Sequence, residues 1–209
     1  WNGTSEPPSF PTGQRPGILT RGALVASGLA STRPIMKGVF IRKSILCDDI
    51  PAPPAGASNT PVNVTVRTSR GAVEAITEQA GSSCVGCHKT LINPLGFLTE
   101  SFDGIGRFRT EEMVIDGNSG EIKAQRPVTT AAVPRVKLDD ERTAKDARDL
   151  VGFILESKKA HACFARQYFR FTYGRWEQLG DDGVAPEDGC LIERIRKAAE
   201  SQPIVEVLR

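Results

Sequence analysis

The sequence is poor in histidine, methionine, tyrosine and tryptophan, with two of each among 209 residues. It also lacks an excess of either charge. Lys and Arg number 27 and Asp and Glu 25, leaving a net charge of +2, too weak a bias to point to nucleic acid or a membrane surface. No apolar run reaches the roughly 18 residues of a membrane-crossing helix, so no span is expected. Sustained heptads and internal repeats are missing, which argues against a coiled coil or a solenoid. No signal-peptide pattern is visible at the start, Trp1, and the chain is read as a piece of a longer protein. What remains is ordinary globular composition, 39% hydrophobic and 25% charged, in a chain long enough for one large domain or two small ones.

The cysteines are Cys47, Cys84, Cys87, Cys163 and Cys190, and the histidines are His88 and His161. Three of these seven residues stand together as Cys84-Val85-Gly86-Cys87-His88. This C-x-x-C-H pattern is the attachment signature of a c-type haem. Each thiol adds to one vinyl group of the porphyrin. One helical turn sets the two sulfurs along one edge of the ring, and the adjoining imidazole reaches the iron. A zinc site would need a fourth ligand, usually from a second C-x-x-C or H-x-x-x-H pair, and the sequence has none. A dithiol redox motif normally sits in a βαβ context, which is not seen. One covalent haem c is therefore expected, with His88 as proximal iron ligand.

Periodicity predicts a mostly α protein with one small hairpin. Ile18, Val25 and Leu29 fit one helix face. Pro34 is placed to open a second helix, with an inward stripe of Ile35, Val39 and Leu46 and with Met36, Phe40 and Cys47 alongside. The proline-rich stretch 48–61 reads as extended chain, and 62–68 as a short strand or more loop. Val73, Ile76 and Ala80 predict a helix leading into the C-x-x-C-H motif, and Pro94 and Gly96 are expected to end any helix after it. Residues 97–108 predict a further helix. Residues 113–122 predict a hairpin turning at Asp116-Gly117-Asn118-Ser119-Gly120. Helices are expected over 139–157, 161–176 and 190–201, the last capped by Asp188, with a loop over 179–189.

The run from Cys84 to Arg109, C-V-G-C-H-K-T-L-I-N-P-L-G-F-L-T-E-S-F-D-G-I-G-R-F-R, resembles the cytochrome c-like proteins of planctomycetes and other bacteria that carry adjoining domains of unknown function numbered 1592, 1588 and 1585. Upstream, Arg15-Pro16-Gly17-Ile18-Leu19-Thr20, Arg33-Pro34-Ile35-Met36-Lys37-Gly38 and Ile45-Leu46-Cys47 with its proline run match as well. Downstream, Ile115-Asp116, Cys163, Gly174-Arg175 and Cys190 follow in the same order. The resemblance implies the C-terminal portion of such a protein. Residues 1–16 would be an arm, 17–110 a DUF1588-like haem-binding segment in a cytochrome c-like helical fold, and 111–209 a DUF1585-like helical segment packed on it.

Around the haem, Pro94 is expected near the proximal histidine, with a neighbouring carbonyl accepting its N–H. Phe97, Phe102 and Phe108 are expected to pack on the porphyrin or the core, and Arg107 and Arg109 to pair with the propionates. The sixth iron ligand stays open among Met113, His161 and Met36, or a vacant position. Cys163 and Cys190, each near a predicted helix start, are the expected disulfide, and the resemblance implies the same pair. Cys47 is then a buried free thiol. Haem c and a disulfide together point to a periplasmic or extracellular setting. The leading expectation is a monohaem electron-transfer module with no catalytic residues. Its partner would be a redox protein or another haem domain of the same polypeptide. The alternatives are a peroxidase- or oxygenase-like haem enzyme with an open sixth site, and a structural haem domain of a secreted assembly.

Overall fold

The computed structural model describes residues 9–29, 31–53, 67–116, 118–178 and 188–208. Outside them lie residues 1–8 of the expected arm, 54–61 of the proline-rich stretch, 62–66 of the possible strand, Gly117 of the hairpin turn and 179–187 of the expected loop. Within them the chain is mostly helical with one two-stranded sheet, as the periodicity predicts. No helix among the described residues is long and apolar enough to cross a membrane.

The first expected helix breaks into a 3-10 turn at Ile18–Thr20 and a single turn, α1, at Gly22–Val25. Pro34 opens α2, Pro34–Phe40, as expected, and a π-helical turn continues it over Ile41–Ile45. The buried face matches the predicted apolar stripe only at Leu46; Ile35 and Val39 are half-buried. Pro34, Lys37, Gly38, Ile41 and Arg42 face inward at helical spacing, while Met36 and Phe40 are exposed. Two buried polar demands explain the rotation. The Glu100 carboxylate, 2% exposed, holds the Lys37 ammonium at 2.7 Å. The fully buried Arg42 guanidinium donates to the carbonyls of Leu91 at 3.0 Å, Pro134 at 2.9 Å and Arg135 at 2.9 Å, and to Asp48 at 3.0 Å.

Helix α3, Ser69–Thr77, begins at Thr68, whose hydroxyl accepts from the Gly71 amide, a regular N-cap. A short turn, α4, covers Val85–Cys87, and a second π-helical turn covers His88–Ile92. Pro94 does not end a helix. It sits in the first turn of α5, Asn93–Phe97, where a missing N–H costs nothing. Helices α2 and α5 pack antiparallel at backbone distance. A Cβ on Gly38 would lie 2.1 Å from the Ile92 oxygen, and one on Gly96 would lie 2.0 Å from the Pro34 oxygen.

The helix expected over 97–108 does not form. After Phe97 the chain turns, Phe102 bridges to Phe108, and Asp103 Oδ1 accepts from the amides of Ile105 and Arg107. Gly106, with φ of 81°, closes the turn. The hairpin pairs β1, Glu111–Ile115, with β2, Ile122–Pro127, in antiparallel register. Buried Glu112 accepts from the Ser69 amide, which seats β1 on the start of α3.

Helix α6, Ala147–Ser157, starts eight residues later than the periodicity predicts, because Asp146 caps it by accepting from the amides of Arg148 and Asp149. Helices α7, Lys159–Tyr173, and α8, Gly189–Ser201, follow, with a last turn, α9, at Ile204–Val207. Asp188 precedes α8 as expected but makes no side-chain cap. Its carboxylate is held instead by Arg175 at 2.7 and 2.8 Å and by the Gln178 amide. The main core joins both ends of the chain: Leu19, Ile41, Leu46, Leu95 and Leu98 pack with Val136, Ala144, Leu150 and Ile154. A smaller cluster of Ala165, Phe169 and Ile192 ties α7 to α8.

The disulfide differs from the expected one. Cys163 bonds to Cys47, with Cα atoms 5.3 Å apart, and Cys190 is a free, exposed thiol. Helix α7 packs on the Ile41–Ile45 turn, which brings Cys163 to Cys47, whereas Cys190 opens α8 facing solvent. Cys47 itself holds a left-handed backbone conformation, φ 54°. Peptide mapping without reductant is expected to recover Cys47 joined to Cys163 and Cys190 open to alkylation. Cys47→Ser is expected to lower the melting temperature, since the bond closes a loop of 116 residues, for which the chain-entropy estimate is on the order of 5 kcal/mol.

Glu177 anchors the end of α7. Its carboxylate, 3% exposed, accepts from Arg170 at two 2.6 Å contacts and from Arg166. The hydrogen bond from Arg170 holds its carboxyl down to about 2 against the opposing effect of burial, with Arg166 adding to the hold. A lowered folded-state value stabilises the protein above the ordinary carboxyl range, and that stability is lost as pH falls through the folded value. Glu177→Gln is therefore expected to be less stable than the parent at pH 7, with the gap closing between about pH 4.5 and about pH 2. Urea melts across that range would show it.

Candidate functional site

The residues of the C-x-x-C-H motif share one surface feature. Cys84, the N-cap of α4, and Cys87, its last residue, stand one helical turn apart, so their side chains leave the same side. Both are half-buried free thiols. The Cys84 amide donates to Ser82 Oγ at 3.1 Å, and the His88 amide donates to the Cys84 carbonyl at 3.0 Å.

The π-helical turn beginning at His88 organises the imidazole. In an α-helix, residues five apart point about 140° away from one another. The wider turn closes with the Asn93 amide donating to the His88 carbonyl and puts the two side chains side by side. His88 Nδ1 lies 3.1 Å from Asn93 Oδ1.

The surroundings of Asn93 fix which atoms meet. Asn93 is fully buried. Its Nδ2 donates to Thr77 Oγ1 at 2.9 Å and to Glu78 Oε1 at 2.8 Å. Thr77 spends its own proton on the Val73 carbonyl, at 2.8 Å, so toward Asn93 it only accepts. A flipped amide would set oxygen against both acceptors. Asn93 therefore turns Oδ1 to the imidazole, and His88 must carry its proton on Nδ1. Nε2 is left with a free lone pair, available to a metal.

The fit to a covalent porphyrin can be judged from this donor set. Two reduced thiols stand on one turn, and the adjoining imidazole has a bare Nε2 and a fixed ring. These are the groups that such an attachment requires. Among the described residues, no group of three or more His, Cys, Asp or Glu side chains is clustered to hold a metal ion by itself.

The other predicted residues are placed differently. Pro94 is buried at the start of α5, and the acceptor for His88 is the side chain of Asn93, not a backbone carbonyl near the proline. Phe97 is a core residue, 2% exposed, with the Arg70 guanidinium 4.5 Å above its ring. Phe102 is buried against the edge of Phe108, 5.8 Å between centroids. The arginines proposed for propionates already have carboxylate partners: Arg107 pairs with Asp103 at 2.9 Å, and Arg109 with Glu100 at 3.3 Å and Glu112 at 3.6 Å.

Among the candidates for a sixth ligand, Met113 lies on the exposed face of β1, opposite the buried Glu112 and Val114. Met36 is exposed on α2. His161 is on α7 with a buried Nδ1 that has no hydrogen-bond partner. Of the predicted residues, the structure brings together Cys84, Cys87 and His88. The sequence reading missed Thr77, Glu78 and Asn93, and an Asn five residues after the motif histidine is a signal only to a reader expecting a π-helical turn.

The tautomer assignment is testable in the haem-free protein. Nitrogen-15 NMR of His88 at a pH where the imidazole is neutral is expected to show the Nδ1–H form alone. Asn93→Leu is expected to return the ring to a mixture of tautomers.

No curated protein and no solved structure matches the chain. One family profile does, PSCyt3, described as "Protein of unknown function (DUF1588)", over residues 15–112. That span runs from Arg15 to Glu112 and contains α1 to α5 with the whole Cys84–Asn93 site. Over these residues the chain is similar to the DUF1588 domain family.

Proposed function

We propose that this protein is a monohaem c-type electron-transfer module, with one haem attached through Cys84 and Cys87 and ligated by His88. The reading is carried by one observation: both motif thiols are unpaired on a single helical turn, and the adjoining imidazole is held with its Nε2 bare. The family profile, whose short name PSCyt3 is cytochrome-like, points the same way. When bound, haem c supplies a one-electron Fe(III)/Fe(II) couple.

The chain's own residues divide the remaining work. Cys84 and Cys87 each give a thiol to a thioether and fix the ring's edge. His88 offers Nε2, and Asn93 keeps the proton on Nδ1 so that Nε2 stays a donor. The packing of α2 on α5 holds the turn still, which suits a group that changes charge without changing shape. Attachment at three separate points on one ring matches these side chains better than convergence on a single ion.

The Cys47–Cys163 bond supports an exported, oxidising setting, periplasmic or extracellular. The partner in this reading is a redox protein or another haem domain of the same polypeptide. Residues 111–209 are proposed as the DUF1585-like segment.

Expression with a c-type haem maturation system tests the proposal. The purified protein is expected to be red, to give a thioether-type pyridine haemochrome spectrum, and to gain the mass of one haem on the peptide containing Cys84 and Cys87. Cys84→Ser with Cys87→Ser is expected to abolish covalent attachment. A colourless protein of unmodified mass from that host overturns the assignment.

A further inference from the structure

We infer that Glu78 tunes the proximal imidazole through Asn93, lowering the reduction potential of the bound haem. The inference rests on the haem reading above and concerns residues outside the C-x-x-C-H motif. It starts from an unbroken chain of contacts. Glu78 Oε1 accepts from Asn93 Nδ2 at 2.8 Å, and Asn93 Oδ1 faces His88 Nδ1 at 3.1 Å. The amide linking the two is fully buried and Glu78 is half-buried, so the first contact is a charge-assisted hydrogen bond shielded from water at its Asn93 end.

Direction follows from polarity. A carboxylate accepting from the amide nitrogen draws electron density toward the amide oxygen. A more negative Oδ1 pulls harder on the Nδ1 proton, and chains of hydrogen bonds reinforce one another in this way at low dielectric. The imidazole gains anionic character, and Nε2 becomes a stronger donor. A stronger donor favours the more positive oxidised iron, which lowers the potential.

Thr77 holds Asn93 from the other side without adding charge, at 2.9 Å. Anchoring and tuning are thus separable. Thr77 fixes the amide, and Glu78 both fixes and polarises it. Glu78 is a positioning residue with an electrostatic effect, and it does not touch the haem ligand itself.

Redox titration of the haem-loaded full chain decides the matter. Glu78→Gln keeps an oxygen to accept from Asn93 and removes only the charge. Its midpoint potential is expected to shift upward with the absorption spectrum of the reduced form nearly unchanged. Asn93→Leu is expected to raise the potential as well, and adding Glu78→Gln to it is expected to produce little further shift. An unmoved potential in Glu78→Gln overturns the inference, because a purely scaffolding role predicts that result. An equal rise on the Asn93→Leu background also overturns it, since the charge would then act directly across space. Should Asn93→Leu not fold, the single Glu78→Gln variant still decides between tuning and scaffolding. Absence of haem from the parent protein strikes at the reading beneath, and haem with an unmoved potential strikes at this inference alone.

Discussion

Backbone touching backbone is the constraint on which the architecture depends. Helices α2 and α5 meet where Gly38 lies under the Ile92 carbonyl and Gly96 under the Pro34 carbonyl, and any side chain at either position would collide with main-chain atoms. Such contact needs no large apolar side chains between the helices, and it explains a core face that includes a lysine and an arginine. Lys37 finds Glu100, which also holds Arg109 and accepts from Thr32. Arg42 spends four of its five N–H donors on three carbonyls and Asp48. Buried charges of this kind persist only when they are paired and hydrogen-bonded, and the glycine contact brings these partners within reach.

The same contact delivers the site. Ile92 is the last residue of the π-helical turn that begins at His88, and Asn93 is the first of α5. Pressing Ile92 against Gly38 fixes the far end of that turn. Arg42 holds the residue before it by donating to the Leu91 carbonyl. From the other side α3 holds Asn93, through Thr77 of its last turn and its cap Glu78, and Asn93 in turn holds His88. His88 and Asn93 are thus gripped from two sides by elements that are distant in sequence.

The sequence makes the local features legible and hides the tertiary ones. Cys84, Cys87 and His88 can be read because their chemistry lies within five consecutive residues. Pro34 as a helix opener, the hairpin and the three C-terminal helices are legible because caps and periodicity are local signals. Helix α2 misleads because its apolar residues Met36 and Phe40 point outward while Lys37 and Arg42 point in, an inversion that depends on Glu100 and on carbonyls more than 90 residues away. The region 97–108 misleads because Asp103 satisfies the backbone of Ile105 and Arg107 and stabilises a turn where helical periodicity was read. Asn93 escapes because a 3.6-residue period never pairs positions five apart. Helix position pairs Cys163 with Cys190, yet the pairing is decided by which helix packs on the Ile41–Ile45 turn.

The limits of the family segment and of the folding unit do not coincide. The profile stops at Glu112, but the core built on Leu19, Ile41, Leu95 and Leu98 is completed by Val136, Ala144, Leu150 and Ile154. Arg42 takes two of its acceptors from Pro134 and Arg135, and Cys47 takes its partner from α7. Three independent kinds of bonding, apolar, polar and covalent, therefore cross the same boundary and converge on the α2 end of the domain. A chain cut after β1 would expose the apolar side of Leu95 and Leu98, leave a buried guanidinium short of acceptors, and free the Cys47 thiol. Because α2 also steadies the turn that carries His88, the C-terminal helices belong to the support of the site although none of the site's residues lies among them.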